Sequence, residues 1–288
     1  MQLIHFRTAE SRTLRPGVLQ GDRVIDTTEA LAPPDPGSPD LGFADRFDLD
    51  APFLRELPDR LSSLPEHALE DVALAAPVPR PGKVICIGLN YADHAAESGM
   101  EPPASPLVFS KFSSNVVGPG ATVPLPEGES ETDYEAELAL VIGRRAWRVA
   151  AAEAMDHVLG YTCANDLSAR AFQFADGQWQ RGKSCEGFCP LGPFIATTDE
   201  VPDPHDLGIR LRLNGETMQS SWTSQLIFRI PELIEHLSAF VALEPGDVVL
   251  TGTPPGVGFA RKPPVHLAPG DHMTVEIDKL GSLKTLMG

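Results

Sequence analysis

Two acidic residues spaced two positions apart are the first feature that can do chemistry. They are Glu135 and Glu137 in T-D-Y-E-A-E-L-A-L-V-I-G, and they share one face if this segment is a strand. A third acid, Asp166, follows in Y-T-C-A-N-D at the end of another predicted strand. Three carboxylates without a nearby His or Cys ligand favour a hard cation, Mg²⁺ or Mn²⁺. The spacing alone leaves a second interpretation open, an edge strand with a solvated acidic face.

A short predicted helix carries the second candidate, the pair His94 and Glu97 in G-L-N-Y-A-D-H-A-A-E-S-G. The two residues stand at positions i and i+3 of the helix, so the carboxylate can orient the imidazole and stabilise its charge. Such a pair is a good general base for a water molecule. A surface helix with an incidental His–Glu pair fits the same letters.

Two loops supply further polar groups. Lys183, in R-G-K-S-C-E-G-F-C, offers an ammonium that can stabilise a developing enolate or bind a carboxylate, although a plain surface lysine is the open alternative. T-G-T-P-P-G-V-G, from Thr251 to Gly258, offers backbone amides and the Thr253 hydroxyl to a carboxylate, or is only a tight turn. It lacks the letters of a P-loop or of a dinucleotide-binding loop. No G-x-S-x-G elbow supports a serine hydrolase.

Composition limits the partners. The 288 residues include 23 Lys and Arg against 40 Asp and Glu, and the net charge of −17 disfavours nucleic acids and anionic membranes. A hydrophobic fraction of 42% excludes a disordered chain. No run of 18 apolar residues and no signal-peptide pattern occurs, so we predict a cytoplasmic protein that binds a small molecule. Four cysteines are too few for a disulfide scaffold and are expected to be free thiols.

The elements that must position these residues are mainly strands. Val18–Ile25 predicts a hairpin with its turn at Gly21-Asp22. R-P-G at 15–17 predicts a turn, and the proline-rich stretch 32–58 predicts a loop. Further strands are predicted at Leu3–Phe6, Val84–Ile87, Leu107–Phe109, Glu135–Ile142, Val158–Cys163, Phe194–Ala196, Ile209–Leu213, Val248–Thr251 and Met273–Ile277. Helical periodicity is confined to Ala92–Ser98, Ala150–Asp156 and Ile230–Phe240.

Many short strands with few helices predict a mostly β, α+β fold of the β-roll or β-sandwich type. A second proline-rich bridge, A-P-V-P-R-P-G at 76–82, precedes a strongly apolar strand. We therefore predict a small N-terminal β-rich domain at residues 1–78 and a main domain at residues 79–288.

Five motifs in this order resemble the fumarylacetoacetate hydrolase family. They are G-L-N-Y-x-D-H-x-x-E, D-Y-E-x-E-L-A, N-D-x-S-A-R, G-K-S and P-G-D-V-V-L-T-G-T-P-x-G-V-G. The resemblance covers about residues 83 to 284, and R-x-G-V-L-x-G-D-R-V-I-D is similar to the small leading domain of the family. It implies a fold of mixed strands rolled around a metal site, in a homodimer.

The resemblance also implies a role for each candidate residue. The implied catalytic residues are His94, Glu97 and Lys183. His94 and Glu97 would form a base dyad on a mobile lid, and Lys183 would be the cation that faces an enolate. The implied metal ligands are Glu135, Glu137 and Asp166, for Mg²⁺ or Mn²⁺. The implied substrate contacts are Arg170, Gln173 and Thr253, the last of these for a carboxylate.

The implied activity is that of a catabolic, metal-dependent hydrolase that cleaves a carbon–carbon bond in a 2,4-dioxo acid, such as an acylpyruvate, a fumarylpyruvate or a diketo sugar acid. His94 would activate the attacking water, and the metal with Lys183 would hold the enolate that leaves. An oxaloacetate-type decarboxylase or a 2-oxo acid isomerase would use the same site. A catalytically silent metal-binding protein is a further alternative. The chain departs from the family pattern at Cys185-Glu186 and Trp222, which we expect near the substrate tail.

Overall fold

The computed structural model describes residues 1–30 and 46–288, which form mainly β-strands. In chain order the first ten strands are β1 (Gln2–Thr8), β2 (Ser11–Gln20), β3 (Arg23–Asp26), β4 (Glu66–Ala68), β5 (Val72–Ala75), β6 (Val84–Gly88), β7 (Leu107–Lys111), β8 (Val116–Val117), β9 (Ala121–Val123) and β10 (Thr132–Asp133). They continue as β11 (Ala136–Ile142), β12 (Val158–Asn165), β13 (Ser168–Ala169), β14 (Cys189–Thr197), β15 (Gly208–Leu213), β16 (Glu216–Trp222), β17 (Val248–Leu250), β18 (His272–Ile277) and β19 (Gly281–Met287). The α-helices of the described residues are α1 (Pro52–Arg60), α2 (Ala92–Ser98), α3 (Arg170–Ala175), α4 (Gln180–Lys183) and α5 (Ile230–Ser238).

The largest sheet has twelve strands, and its main path runs β4-β3-β2-β1-β14-β12-β11-β17-β6-β7. β5 pairs with β1 and β8 pairs with β14 beside this path. The N-terminal strands join the rest of the sheet through β1 and β14, where Gln2 lies opposite Ala196 and Leu3 opposite Ile195. The division at residue 78 stays a prediction.

Strand β11 lies in the middle of the large sheet, between β12 and β17. All seven of its residues are buried, as expected of a strand whose letters A-E-L-A-L-V-I are mostly apolar on both faces. The interpretation of this segment as a solvated edge strand is therefore wrong. The register places Ala136 opposite Asn165, so the residues that begin β11 lie beside those that end β12.

A second sheet of five strands, in the order β16-β15-β18-β19-β9, packs on the first. One hydrophobic core joins them, because Leu138 and Leu140 of the large sheet belong to the same buried cluster as Leu211 and Val275 of the small one. Strands β10 and β13 form a separate two-stranded ladder at the entrance to β11. The mostly β, α+β fold is thus confirmed.

Several local predictions are wrong, among them the loop predicted at Lys183, which lies in α4 and is buried. The segment 150–156 forms turns followed by a 3₁₀ helix at Ala154–His157, not an α-helix. The predicted turn at residues 15–17 lies inside β2, where Pro16 continues the strand. The predicted loop at 32–58 includes the start of α1, because proline is tolerated in the first turn of a helix and Leu54 and Leu57 supply a buried face. Its residues 32–45 lie outside the described residues.

The helices that flank the large sheet are short. A proline in the first turn and two buried leucines account for α1. Helix α5 buries one apolar face, as the spacing of its hydrophobic residues predicts. No helix within residues 1–30 and 46–288 is long and apolar enough to cross a membrane.

Gly182 allows α4 to approach α3, which carries two of the predicted substrate contacts. A Cβ atom at Gly182 would lie 2.6 Å from the backbone oxygen of Ala169 and 2.6 Å from Cβ of Gln173. We expect Gly182→Ala to lower the free energy of unfolding by about 1–3 kcal/mol, because the backbone must shift to accept the methyl group. Urea denaturation measures it, with Glu186→Ala at a neighbouring exposed position as the control. Equal stability of the two variants would contradict the close packing.

Candidate active site

Glu135, Glu137 and Asp166 meet at the junction of β11 and β12. One carboxylate oxygen of each lies within 4.8 Å of the others, and all three side chains are buried. Backbone bonds fix the junction, because the Asp166 N–H donates to the Glu135 carbonyl at 2.8 Å and the Glu135 N–H donates to Oδ1 of Asn165 at 2.9 Å. The structure therefore brings the three predicted metal ligands together, on rigid elements.

Buried cations compensate two of these carboxylates. The Lys183 ammonium lies 2.8 Å from Oε2 of Glu135 and 2.9 Å from Oδ2 of Asp166. Nη2 of Arg170 lies 2.6 Å from Oε1 of Glu135. Nζ of Lys111 lies 2.6 Å from Oδ1 of Asp166, and neither of these side chains is exposed. Such charge-assisted contacts are strong when both partners are removed from water.

The two glutamates of the triad differ in charge environment. Burial raises the pKa of Glu135, but the charges of Lys183 and Arg170 outweigh it and hold the pKa below its usual value. For Glu137, burial and then the negative charges of Asp166 and Glu135 raise the pKa well above its usual value. Burial lowers the pKa of the Lys183 ammonium, but the charges of Asp166 and Glu135 outweigh this effect and hold the pKa above its usual value. The group therefore stays protonated.

Glu137 is the carboxylate that calls for a further cation. Its Oε2 accepts a hydrogen bond from the Gly252 N–H at 2.6 Å, and among the described residues no Lys, Arg or His nitrogen forms an ion pair with it. A carboxylate that is fully buried and unpaired is costly. A divalent ion held by oxygen ligands would supply the missing charge, so these residues fit Mg²⁺ or Mn²⁺.

Arg170 is held by Asp133, which lies just before the triad. The guanidinium donates to Oδ2 of Asp133 from Nε at 2.9 Å and from Nη2 at 2.7 Å, and its Nη1 donates to Oε1 of Gln173 at 3.0 Å. Asp133 also accepts bonds from the backbone N–H groups of Gly258, at 2.7 Å, and Phe259, at 3.1 Å. This carboxylate thus joins Arg170 and the glycine-rich loop in one network.

Lys111 is a functional candidate that sequence reasoning missed. Besides Asp166, its ammonium contacts the carbonyl oxygens of Leu167, at 2.8 Å, and Lys183, at 2.6 Å. It therefore orients one triad member and the backbone of the lysine that bridges the triad. The available signal was strand alternation, because Lys111 shares a face of β7 with Phe109, which lines the cavity described below.

His94 and Glu97 are neighbours on α2, as their spacing predicts. Nδ1 of His94 lies 3.1 Å from Oε2 of Glu97. The Glu97 carboxylate also accepts a bond from the Gly256 N–H at 3.1 Å, and Ser221 donates to Asp93 at 2.5 Å. The helix is thereby attached to both the glycine-rich loop and β16. That α2 acts as a mobile lid stays a prediction.

Thr253 has its hydroxyl engaged within the protein. Its Oγ donates to the carbonyl of Ala136 at 2.9 Å and accepts from Nε2 of Gln219 at 2.8 Å. Gln219, a second residue missed from the sequence, also accepts a bond from the Ala136 N–H at 2.9 Å. Thr253 can therefore donate to a ligand carboxylate only by giving up Ala136, and its substrate role stays a prediction.

One cavity of about 610 Å³ collects most of the predicted site. Seven of the nine predicted residues line it, namely His94, Glu135, Glu137, Arg170, Gln173, Lys183 and Thr253. The other two contact this set, Glu97 through His94 and Asp166 through Lys183. Cys185, Glu186 and Trp222 do not line it, and the expectation that they lie near a substrate tail stays a prediction. Trp179, Phe174 and Phe259 do line this cavity.

A buried carboxylate triad, a His–Glu pair and a bridging lysine around one cavity are the groups of a metal-dependent enzyme. Residues 83–287 match the family model described as fumarylacetoacetate (FAA) hydrolase C-terminal. The chain belongs to the fumarylacetoacetate hydrolase family, which confirms the resemblance seen in its motifs.

Several named proteins are similar to this chain over most of its length. The mitochondrial oxaloacetate tautomerase fahd2 of Xenopus laevis is 44% identical over 98% of this chain and 89% of its own. The mitochondrial oxaloacetate tautomerase FAHD2A of Bos taurus is 51% identical over 76% of this chain and 71% of its own. The crystal structure of maleylpyruvate hydrolase from Sphingobium sp. SYK-6 with manganese(II) and pyruvate has 32% identity and a TM-score of 0.81, with all of both chains covered.

The paired charge of Lys111 makes it a test of the buried network. We expect Lys111→Met to lower the free energy of unfolding by about 3–5 kcal/mol, because the Asp166 carboxylate loses a buried counter-charge. Denaturant unfolding measures the change. Lys284→Met, at an exposed position of β19, is the matched control and should change stability by under about 0.5 kcal/mol. Similar stabilities for the two variants would show that Lys111 does not carry the network.

Metal addition tests the triad itself. We expect Mn²⁺ at 100 times its dissociation constant to raise the free energy of unfolding by about 2.7 kcal/mol, because the ion binds only the folded chain. Glu137→Gln should abolish most of this gain, whereas Glu127→Gln, at an exposed position, should retain it. Thermal unfolding with and without Mn²⁺ measures both. Full stabilisation of the Glu137→Gln variant would exclude the triad as the binding site.

Proposed function

We propose that this metal-dependent enzyme interconverts the enol and keto forms of a 2-oxo acid of the oxaloacetate type. In that reaction the enol oxygen on C2 loses one proton to solvent water, and the His94 imidazolium adds one proton at C3 and is then reprotonated from solvent, so no water is consumed and no carbon–carbon bond breaks. The observation that carries the proposal is that the His94 imidazole and the Lys183 ammonium line one cavity with Glu135 and Glu137 of the carboxylate triad.

The His94–Glu97 pair supplies the group that moves a proton. With the Nδ1 hydrogen of His94 donated to Glu97, the lone pair lies on Nε2, and this nitrogen can exchange a proton with C3 of a bound acid. The Glu97 carboxylate stabilises the imidazolium that forms, and the Gly256 N–H keeps that carboxylate in place.

Lys183 supplies a fixed positive charge near the reacting oxygen. An ammonium has three donors, and two of them are directed to Glu135 and Asp166. The third can donate to the oxygen on C2, where negative charge develops as C3 loses its proton. A divalent ion, when bound by the triad, would supply further positive charge to the carboxylate and the oxo group of the acid.

The comparisons support proton transfer over hydrolysis as the outcome. The oxaloacetate tautomerases are 44–51% identical to this chain, whereas the maleylpyruvate hydrolase is 32% identical. Hydrolysis needs a water molecule placed at a second carbonyl in addition to the groups that enolisation needs. The carbon–carbon hydrolase predicted from the sequence is therefore the second candidate, favoured by the TM-score of 0.81 to that hydrolase. Decarboxylation of oxaloacetate would use the same enolate.

We also propose a homodimer, which rests on the resemblance to the family alone. A preference for Mg²⁺ rests on the same resemblance, whereas Mn²⁺ is the ion in the hydrolase structure. The cytoplasmic location predicted from the sequence stands against relatives that are named as mitochondrial proteins.

The experiment compares two substrates on one enzyme. We expect the Mn²⁺-loaded protein to accelerate the decay of enol-oxaloacetate absorbance, and His94→Ala to slow this reaction by about 10²–10⁴-fold through loss of the proton-transfer group. His272→Ala, at an exposed position of β18, is the control and should leave the rate unchanged.

An acylpyruvate assayed in parallel distinguishes the two candidates. Pyruvate release from the acylpyruvate, without any acceleration of oxaloacetate tautomerisation, would replace the proposed activity with hydrolysis. Retained Mn²⁺ stabilisation of the His94→Ala variant would show that the triad is intact, so that a lost rate reports on the dyad.

A further inference from the structure

The cavity has a polar set of side chains around the carboxylates and a largely apolar remainder. Among the described residues, the lining groups that carry or can gain positive charge are His94, Arg170 and Lys183. Arg170 and Lys183 are already bound to Glu135. Away from the carboxylate network, the polar side chains that line the cavity are those of Glu101 and Ser105. If the ligand were a dicarboxylic acid, the Glu101 carboxylate would repel its second carboxylate.

Two aromatic pairs form much of that apolar remainder. Phe109 and Trp179 meet edge to face, with ring centroids 5.2 Å apart. Phe174 and Phe259 are tilted against each other, with centroids 5.5 Å apart. All four side chains line the cavity. Aromatic side chains offer large, stiff surfaces to an apolar ligand.

Each aromatic pair begins beside a cation of the carboxylate network. Nζ of Lys183 lies 5.0 Å from the centroid of the Phe109 ring, and Cζ of Arg170 lies 5.7 Å from the centroid of the Phe259 ring. The aromatic wall therefore starts next to the groups that would hold the reacting end of an acid. A substituent on C3 of that acid would contact these rings.

The wall exposes apolar surface that a ligand can cover. Eight large hydrophobic side chains are exposed in the described part of the chain, and four of them line this one cavity: Met100, Leu107, Phe174 and Phe259. Such clustering of exposed apolar groups marks a binding surface. The backbone also makes room for it, since a Cβ atom at Gly88 would lie 2.9 Å from the Trp179 ring.

Oxaloacetate has no apolar group large enough to cover these rings. Its second carboxylate would lie among apolar side chains, in a cavity that the Glu101 carboxylate also lines. A larger apolar substituent would fill the space and bury the rings.

We propose that the site takes a 2-oxo monoacid whose C3 carries an apolar group of aromatic size, as in an arylpyruvate, bound between the Phe109–Trp179 and Phe174–Phe259 pairs. The inference rests on the proposed function, because the reaction is the same: one proton leaves the enol oxygen on C2 and one proton is added at C3. No further reactant is required.

The test compares phenylpyruvate with oxaloacetate in the tautomerisation assay. We expect the wild-type kcat/KM for phenylpyruvate to equal or exceed that for oxaloacetate. Phe259→Ala and Trp179→Ala should lower the phenylpyruvate value by about 10–100-fold, mainly through KM, because the aromatic group loses its buried contacts. The same variants should lower the oxaloacetate value by a clearly smaller factor, because oxaloacetate has no aromatic group to lose these contacts.

Phe240→Ala is the matched control, since Phe240 is an exposed phenylalanine outside this cavity, and it should affect neither substrate. Equal losses for both substrates in Phe259→Ala and Trp179→Ala, or a phenylpyruvate kcat/KM tenfold below that of oxaloacetate, would overturn the inference and leave the proposed function standing. Calorimetric titration of phenylpyruvate into the wild type and Phe259→Ala separates binding from turnover. Tail-dependent binding without tautomerisation of either acid would support the inference and reject the proposed function.

Discussion

The structure depends on holding several carboxylates together away from water. Glu135, Glu137 and Asp166 lie within 4.8 Å of one another, where like charges repel strongly unless cations neutralise them. Buried cations from separate segments neutralise these charges in part, and they include Lys111 at the end of β7 and Lys183 at the end of α4. Because each cation arrives on a different element, the fold must close around the carboxylates before the charges balance. The charge network thus couples the site to the packing of the whole sheet.

That coupling explains why the polar residues occur at element ends. Glu135 directly precedes β11 and Asp166 directly follows β12, so the ladder between these strands fixes their separation. The glycine-rich loop follows β17, the other neighbour of β11, and its Gly252 N–H reaches Glu137. Gly252 has a φ of 104°, a left-handed value that favours glycine and turns the chain toward the carboxylate. The middle of each core strand is apolar, and the candidate catalytic and metal-binding residues lie at or near the strand ends.

The sequence was sufficient for the parts of the site that lie within one element or one motif. Alternation placed Glu135 and Glu137 on one face, and the three-residue spacing joined His94 to Glu97. It was not sufficient for Lys111, which lies just beyond the predicted strand Leu107–Phe109, because only the fold brings β7 beside Asp166. The aromatic lining of the cavity was missed for the same reason. Trp222 was expected near a substrate tail because the chain departs from the family pattern there, whereas the cavity is lined by Trp179, which no local pattern distinguishes. The helix predicted at 150–156 failed because apolar periodicity over seven residues does not separate an α-helix from turns.

Charge balance connects the network to the kind of acid that the cavity favours. With all groups ionised, Asp133, Glu135, Glu137 and Asp166 contribute −4, and the cations that contact them, Lys111, Arg170 and Lys183, contribute +3. A divalent ion bound by the triad would change the sum from −1 to +1. A monocarboxylate with an oxo group then brings it to zero, whereas a dicarboxylate returns it to −1. The second carboxylate of a diacid therefore has to find its own compensation, and an apolar wall provides none. The same electrostatic demand that assembles the carboxylates thus favours a substrate with one acid group and an uncharged tail.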